Sequence, residues 1–231
     1  MIVIDVAHGH MQQVIEVTSY IKNKFPNLPL VSGNVATFEA SDDLYAAGAD
    51  IVKVGIGPGS ICTTRIQTGH GVPQITAIFE AAKAAKKHNK TLIADGGIKN
   101  SGDIVKAFGA GASAVMLGNI LASTNEAPGE VIEINGKKYK KYFGSTSLEQ
   151  KQKHLEMQKQ DPNYLNHIEG VSGAVPLLGD LEKLILQLKS GIASGFSYSG
   201  AQNIAEFHQK AKFIAITPSG YKESNFHDLE I

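Results

Sequence analysis

The sequence predicts an α/β protein in which β/α units repeat around a parallel sheet. Three observations carry that expectation. Five short β-branched runs each end in a cluster of Gly, Asn or Asp, helix-period segments separate them, and the interesting polar residues fall at the C-terminal ends of the runs. Strands covered on both faces read as apolar runs, and each return to a parallel neighbour needs a helical crossing. The units recur at roughly 20 to 35 residues, about one strand, one helix and their turns.

The elements follow in order. IVIDVAHGH (2–10) leads into MQQVIEVTSYIKNKF (11–25), and LPLVSGNVAT (28–37) into FEASDDLYAAG (38–48). DIVKVGIGPGS (50–60) is followed, after a glycine-rich turn, by VPQITAIFEAAKAAKKHN (72–89). KTLIADGGI (90–98) precedes SGDIVKAFGAG (101–111), and SAVMLGN (113–119) closes the series, giving five β/α units within 1–130. After Glu130 the texture changes: EVIEINGKKYKKYFG alternates about an Asn-Gly pair, the signature of a type I′ hairpin. Residues 145–180 are polar and Gln-rich, so 131–180 is expected to form a hairpin and a long mobile flap, since structureless loops of that length tend to be lids. LEKLILQLKSGIASGF (181–196) and NIAEFHQKAKF (203–213) read as closing helices before the tail, so 181–231 completes the chain.

Composition narrows the function. The chain has 231 residues, 42% hydrophobic and 19% charged, enough to bury one large core or two small ones. Its formal net charge is zero, so no overall positive field holds a nucleic acid or an anionic membrane, and any anion must be bound locally. The single cysteine excludes a disulfide framework and a cysteine-based zinc site, and fits a reducing compartment. No apolar run is long enough to span a membrane and the first residues lack a signal-peptide pattern, so cytoplasmic residence is the expectation.

Chemistry concentrates in VGIGPGSICTTR (54–65), which holds the lone cysteine, Cys62, and the lone arginine, Arg65. Glycines at 55, 57 and 59 open backbone conformations closed to other residues, and exposed N–H groups in such a loop cradle phosphate. A thiolate is a strong soft nucleophile, whereas most lone cysteines are small buried hydrophobes; placement in a Gly-Pro-Gly turn at a strand end favours the nucleophile. IADGG (93–97) adds a carboxylate, Asp95, suited to a ribose diol or to a helix N-cap, with two glycines that admit a phosphate. His8 and His10 are candidate metal ligands with no third ligand at obvious spacing.

GPGSICTTR, GHGVPQIT, IADGGIKNSGDIVKAFGAGASAVMLGN and LASTNEAPGE together resemble the catalytic barrel of the inosine-5′-monophosphate dehydrogenase and guanosine-5′-monophosphate reductase family, and the tail YKESNFHDLEI resembles the dehydrogenase end of it. The resemblance covers nearly the whole chain. It implies a (β/α)8 TIM-barrel fold in which Asp5 matches the fourth strand, so the first three β/α units would be absent and the five present would leave an open parallel edge. It implies oxidation of IMP to XMP with NAD+ through a thioimidate on Cys62, with GMP reduction by NADPH as the alternative and a non-catalytic nucleotide-binding remnant as a reading of another class.

By the same resemblance Ser60, Gly97, Gly118 and Tyr142 would bind the phosphate, with Asn119, Gly144 and Ser145 beside them, and Asp95 the ribose. Asp5, Asn34, Lys53 and Gly55 would meet the nicotinamide cofactor. Carbonyls of Gly57, Gly59 and Cys62 would hold potassium with Glu223 and Ser224 of a neighbouring subunit, which implies a homotetramer. Glu169 and Thr64 would relay a proton, and the flap's usual Arg-Tyr pair appears as Asn163-Tyr164, leaving Tyr164 without its arginine. Phe143-Gly144-Ser145-Thr146-Ser147 replaces the family's Arg-Gly-Met-Gly-Ser turn, and Asn119 its phosphate-binding serine. The missing arginine implies slow hydrolysis.

Overall fold

In the computed structural model, which describes residues 1–144, 146–152 and 168–225, the five apolar runs become five parallel strands. These are β1 (Ile2–Asp5), β2 (Leu30–Val35), β3 (Ile51–Val54), β4 (Thr91–Asp95) and β5 (Ala114–Met116). Between them run α1 (Gln12–Lys24), α2 (Phe38–Ala46), α3 (Thr64–Thr68), α4 (Gln74–His88) and α5 (Ser101–Gly109). The strand order is the chain order, β1-β2-β3-β4-β5, so every crossing steps to the next neighbour in one direction. A sheet wound that way curls as a barrel does rather than reversing at a switch point. Among the described residues β1 and β5 each have one strand neighbour, so the expected open edges are present.

Helix starts are set by local chemistry. Thr37 accepts a hydrogen bond from the Ala40 N–H, and Asn100 from the Asp103 N–H, each satisfying a donor the first turn cannot. The core lies between one sheet face and these helices: Val52, Val54, Leu92 and Ala94 are fully buried against Leu44, Ile78 and Ala81. Each large aliphatic side chain so buried contributes about 1.5–3 kcal/mol. Alternation sends their neighbours Lys53 and Asp95 to the other, inward face, with Asp5 and Gly33 in register beside Lys53.

After β5 the chain forms α6 (Asn119–Ala122), β6 (Val131–Ile134) and β7 (Lys137–Phe143). Asn135 and Gly136 turn between the last two with φ of 52° and 74°. The 145–180 segment was expected as a mobile flap throughout, but Ser172–Pro176 is a strand, β8, antiparallel to β7. Ser, Gly and Ala give it no hydrophobic alternation, and only Val175 is buried, so main-chain pairing rather than side-chain burial holds it. α7 (Leu181–Tyr198), α8 (Ile204–Lys210) and α9 (Pro218–Glu223) follow. The 203–213 helix stops at Lys210, where Ala211 turns extended; Ala211 and Phe213 then pack against Gly109 at the end of α5, and Phe213 meets Phe79 of α4 edge to face at 5.0 Å. No helix of the described residues is long and apolar enough to cross a membrane.

At the sheet edge remote from the strand ends, Asp50 accepts hydrogen bonds from Lys22 (2.7 Å), Lys90 (2.8 Å) and the Leu30 N–H (2.9 Å), tying α1 to three strands. Burial would raise its carboxyl, but those three donors outweigh it and hold it at about 2. A carboxyl lowered by folding stabilises fully above its unfolded value and loses that contribution as pH falls through the folded one. The thermal midpoint is therefore expected to fall more steeply in the wild type than in Asp50→Asn between about pH 4 and pH 2. Parallel curves in calorimetric scans across that range would contradict it.

Candidate active site

Lys53 organises the inward face. Its side chain is 2% exposed and pairs with Asp5 at 2.9 Å and with Asp95, which also accepts from the Asn34 amide at 3.0 Å. The close approach of β2 to β3 needs a glycine at 33, where a Cβ would lie 2.5 Å from the Lys53 carbonyl oxygen. The β2–β3 register shifts between Gly33 and Val35, and this irregularity turns Asn34 so that its amide also reaches the Gly55 carbonyl at 2.8 Å. Gly55 has φ 147°, and a Cβ there would lie 2.1 Å from the Asp95 carbonyl oxygen, so β3 and β4 end in near contact.

The cysteine loop rises from that floor. Arg65, the only arginine, donates to the Val72 carbonyl at 2.6 Å and the Ile56 carbonyl at 3.3 Å, clamping the loop's two ends together. That role was not readable beforehand, because both acceptors are main-chain atoms. Cys62 is partly buried, and its thiol donates to the Thr64 hydroxyl at 3.2 Å, which in turn donates to the Glu169 carboxylate at 2.5 Å. The chain around Glu169 pairs with the loop: the Thr63 N–H donates to the Glu169 carbonyl, and the Val171 N–H to the Ile61 carbonyl, both at 3.0 Å. Cys62 and Gly170 thus face each other as an antiparallel bridge.

Two cavities meet here. One, of about 480 Å³, runs from Ser60 and Cys62 past Asp95 and Gly97 to Gly118, Asn119, Tyr142 and Gly144. The other, of about 500 Å³, is lined by Asp5, Asn34, Lys53, Gly55, Gly57 and Thr64. Cys62, Asp95 and Glu169 line both. Burial, and secondarily the Asp95 charge, push the Tyr142 hydroxyl up, keeping it protonated as a donor. Asn34 also lines the second cavity, and among the described residues its buried Oδ1 has no hydrogen-bond partner.

Other expected residues lie apart. Glu223 ends α9 and Ser224 caps it, with its hydroxyl on the Gly220 carbonyl, and neither lines these cavities. Ser145 and Tyr164 lie outside the described residues. His10 pairs with Asp43 at 2.9 Å, and no group of three metal-ligating side chains occurs among the described residues.

Comparison with known proteins gives this geometry a family. The family model for the IMP dehydrogenase / GMP reductase domain matches residues 1–227. The inosine-5′-monophosphate dehydrogenase of Aquifex aeolicus is 52% identical over 100% of this chain and 48% of its own length. That of Bacillus subtilis is 48% identical over the same shares, so the chain spans about half the length of these relatives. Among solved structures, a cysteine-to-alanine variant of GMP reductase from Trypanosoma brucei, in complex with guanosine 5′-monophosphate, superposes with a TM-score of 0.93 at 40% identity, over 99% of this chain and 47% of that one. With its barrel-type sheet, its cysteine loop and a family match over nearly its full length, the chain belongs to the IMP dehydrogenase / GMP reductase family.

Proposed function

We propose that this chain supplies the reaction centre for oxidation of IMP to XMP, with Cys62 as nucleophile. The observation that carries the reading is the position of Cys62, which lines both cavities and is hydrogen-bonded to the Thr64–Glu169 pair. A nucleophile shared by two cavities suits a reaction that passes a hydride from one ligand to another. The relatives named inosine-5′-monophosphate dehydrogenase support the direction of the reaction.

Gly97, Gly118, Asn119, Ser60, Gly144 and the Tyr142 hydroxyl hold the phosphate, and the Asp95 carboxylate takes the ribose hydroxyls. The sulfur of Cys62 gives its proton to solvent and bonds to C2 of the purine, and C2 loses its hydrogen as hydride. Asp5, Asn34, Lys53 and Gly55 would hold NAD+, which would supply the hydride acceptor. Water then adds to C2, Thr64 and Glu169 take its proton, and the carbon–sulfur bond breaks to release XMP and the thiol. Splitting one displacement into two lowers each barrier. Main-chain carbonyls of Gly57, Gly59 and Cys62 suit a potassium ion, a hard cation that prefers oxygen, and the Gly57 φ of 80° is the turn that brings this loop round. Gly59 also accepts the Cys62 N–H at 3.1 Å, which leaves its second lone pair for the ion. Glu223 and Ser224 of a neighbouring subunit would complete that site in a homotetramer.

Without the family's flap arginine, Glu169 carries more of the hydrolysis. Glu169→Gln is expected to leave the first burst of NADH intact and to slow the steady state about 10²-fold, the usual worth of a general base. Rapid-mixing absorbance of the reduced cofactor checks this, and an unchanged steady state contradicts it.

A second reading, GMP reduction by NADPH, is favoured by the resemblance to the GMP-bound reductase and by a Thr64–Glu169 pair able to handle ammonia without an arginine. Incubation with IMP and NAD+, then with GMP and NADPH, separates the two. NADH formation supports the dehydrogenase, NADPH consumption the reductase, and neither, with nucleotide bound, a non-catalytic remnant.

A further inference from the structure

Lys140 sits in the middle of β7 and is 2% exposed. Its ammonium donates to three main-chain carbonyls, those of Thr124 and Ala127 at 2.5 Å and of Asn125 at 3.1 Å. Among the described residues no carboxylate pairs with it. An ammonium has three N–H donors, and all three are used on one loop. Removing such a group from water costs several kcal/mol, so a strand position where an aliphatic side chain would pack needs a reason to hold a lysine.

The reason lies at the two ends of the stretch it grips. The loop at 124–127 follows α6, which opens at the Gly118–Asn119 turn of the first cavity. Two residues further along β7, on the same face as Lys140, Tyr142 sets its hydroxyl over Gly118, 2.9 Å from where a Cβ would stand. One strand face therefore touches both ends of residues 118–127, through Lys140 at one end and Tyr142 at the other. The loop is also held to the chain after β8, by the Asn125 N–H on the Gly179 carbonyl (2.8 Å) and the Leu178 N–H on the Ser123 carbonyl (2.8 Å). Lys140 adds the bond between this platform and β7.

We propose that Lys140 is a positioning residue for phosphate recognition: by pinning β7 to the loop after α6, it fixes the gap between the Tyr142 hydroxyl and the Gly118–Asn119 turn. The inference rests on the assignment of that gap to the nucleotide's phosphate. Lys140 touches no ligand itself. It acts through Tyr142, so its loss reads out on the phosphate and not on the base or sugar.

The test is the ratio of dissociation constants for inosine and IMP, which differ only by the phosphate, measured by equilibrium titration of the wild type and Lys140→Met. The wild type is expected to prefer IMP, and the variant to lose about tenfold of that preference while inosine affinity stays within about twofold. A variant that weakens both ligands equally, or that lowers only the melting temperature, overturns the positioning role. A wild type that binds inosine as tightly as IMP overturns the phosphate assignment beneath it. Lys140→Gln keeps two N–H donors for the carbonyls and serves if the methionine variant does not fold, with a smaller loss of preference expected and an unchanged ratio again contradicting the role. In Tyr142→Phe the Lys140 substitution is expected to add little, and full additivity would show that the lysine does not act through the tyrosine.

Discussion

Replacing Cys62 by alanine is expected to lower IMP-dependent NADH formation by roughly 10³-fold or more, the scale on which loss of a covalent nucleophile acts. IMP affinity should change by less than about threefold, since the phosphate and ribose contacts come from other strand ends. Cys62 is the only cysteine in the chain, and no second thiol can stand in for it. Serine is expected to be nearly as poor, because an alcohol is a far weaker nucleophile at neutral pH than a cysteine sulfur. Absorbance of the reduced cofactor measures the first effect and titration the second. An alanine variant with a tenth of the wild-type rate would end the case for covalent catalysis.

Lys53→Met is expected to cost about 3 kcal/mol of stability, the lower end of what breaking a buried pair costs. The volume is nearly conserved, so little cavity forms, and the loss comes from the charge. The Lys53 side chain is 2% exposed and that of Asp95 22%, whereas Asp5 is 59% exposed and worth little as a partner. Asp95 would keep only the Asn34 amide among the side-chain partners described here. For a chain of this size the thermal midpoint should fall by roughly 6–12 °C, while Asp5→Asn moves it by only about 1–3 °C. Calorimetry of both variants decides the matter, and equal shifts would place the energy in the wrong pair.

How far the sequence anticipated this architecture depends on which interactions are local. The strands were legible because IVKV, TLIAD and LVSGNV are apolar runs closed by turn residues, and that signal lies within each segment. The cysteine loop and the Asp-Gly-Gly turn were legible for the same reason, since each carries its chemistry within a few residues. The Lys53–Asp95 pair was not, because 42 residues separate the partners and only the β3–β4 register brings them together. β8 was missed because Ser-Gly-Ala has no alternation to read, and its strand character comes from β7 alone. Arg65 and Lys140 were invisible in role for a further reason: both are satisfied by carbonyls, and any residue type offers a carbonyl. Glu169 was expected beside Thr64, but not the main-chain pairing that carries it there.

Alkylation of Cys62 by iodoacetamide, timed with and without saturating IMP, puts the whole account at risk in one measurement. A nucleotide held with its purine against the sulfur should slow modification at least about tenfold, and inosine should protect less at the same concentration because it lacks the phosphate grip. A rate of modification indifferent to IMP would mean that the sulfur and the nucleotide do not share a site, and the assignment of Cys62 would fall.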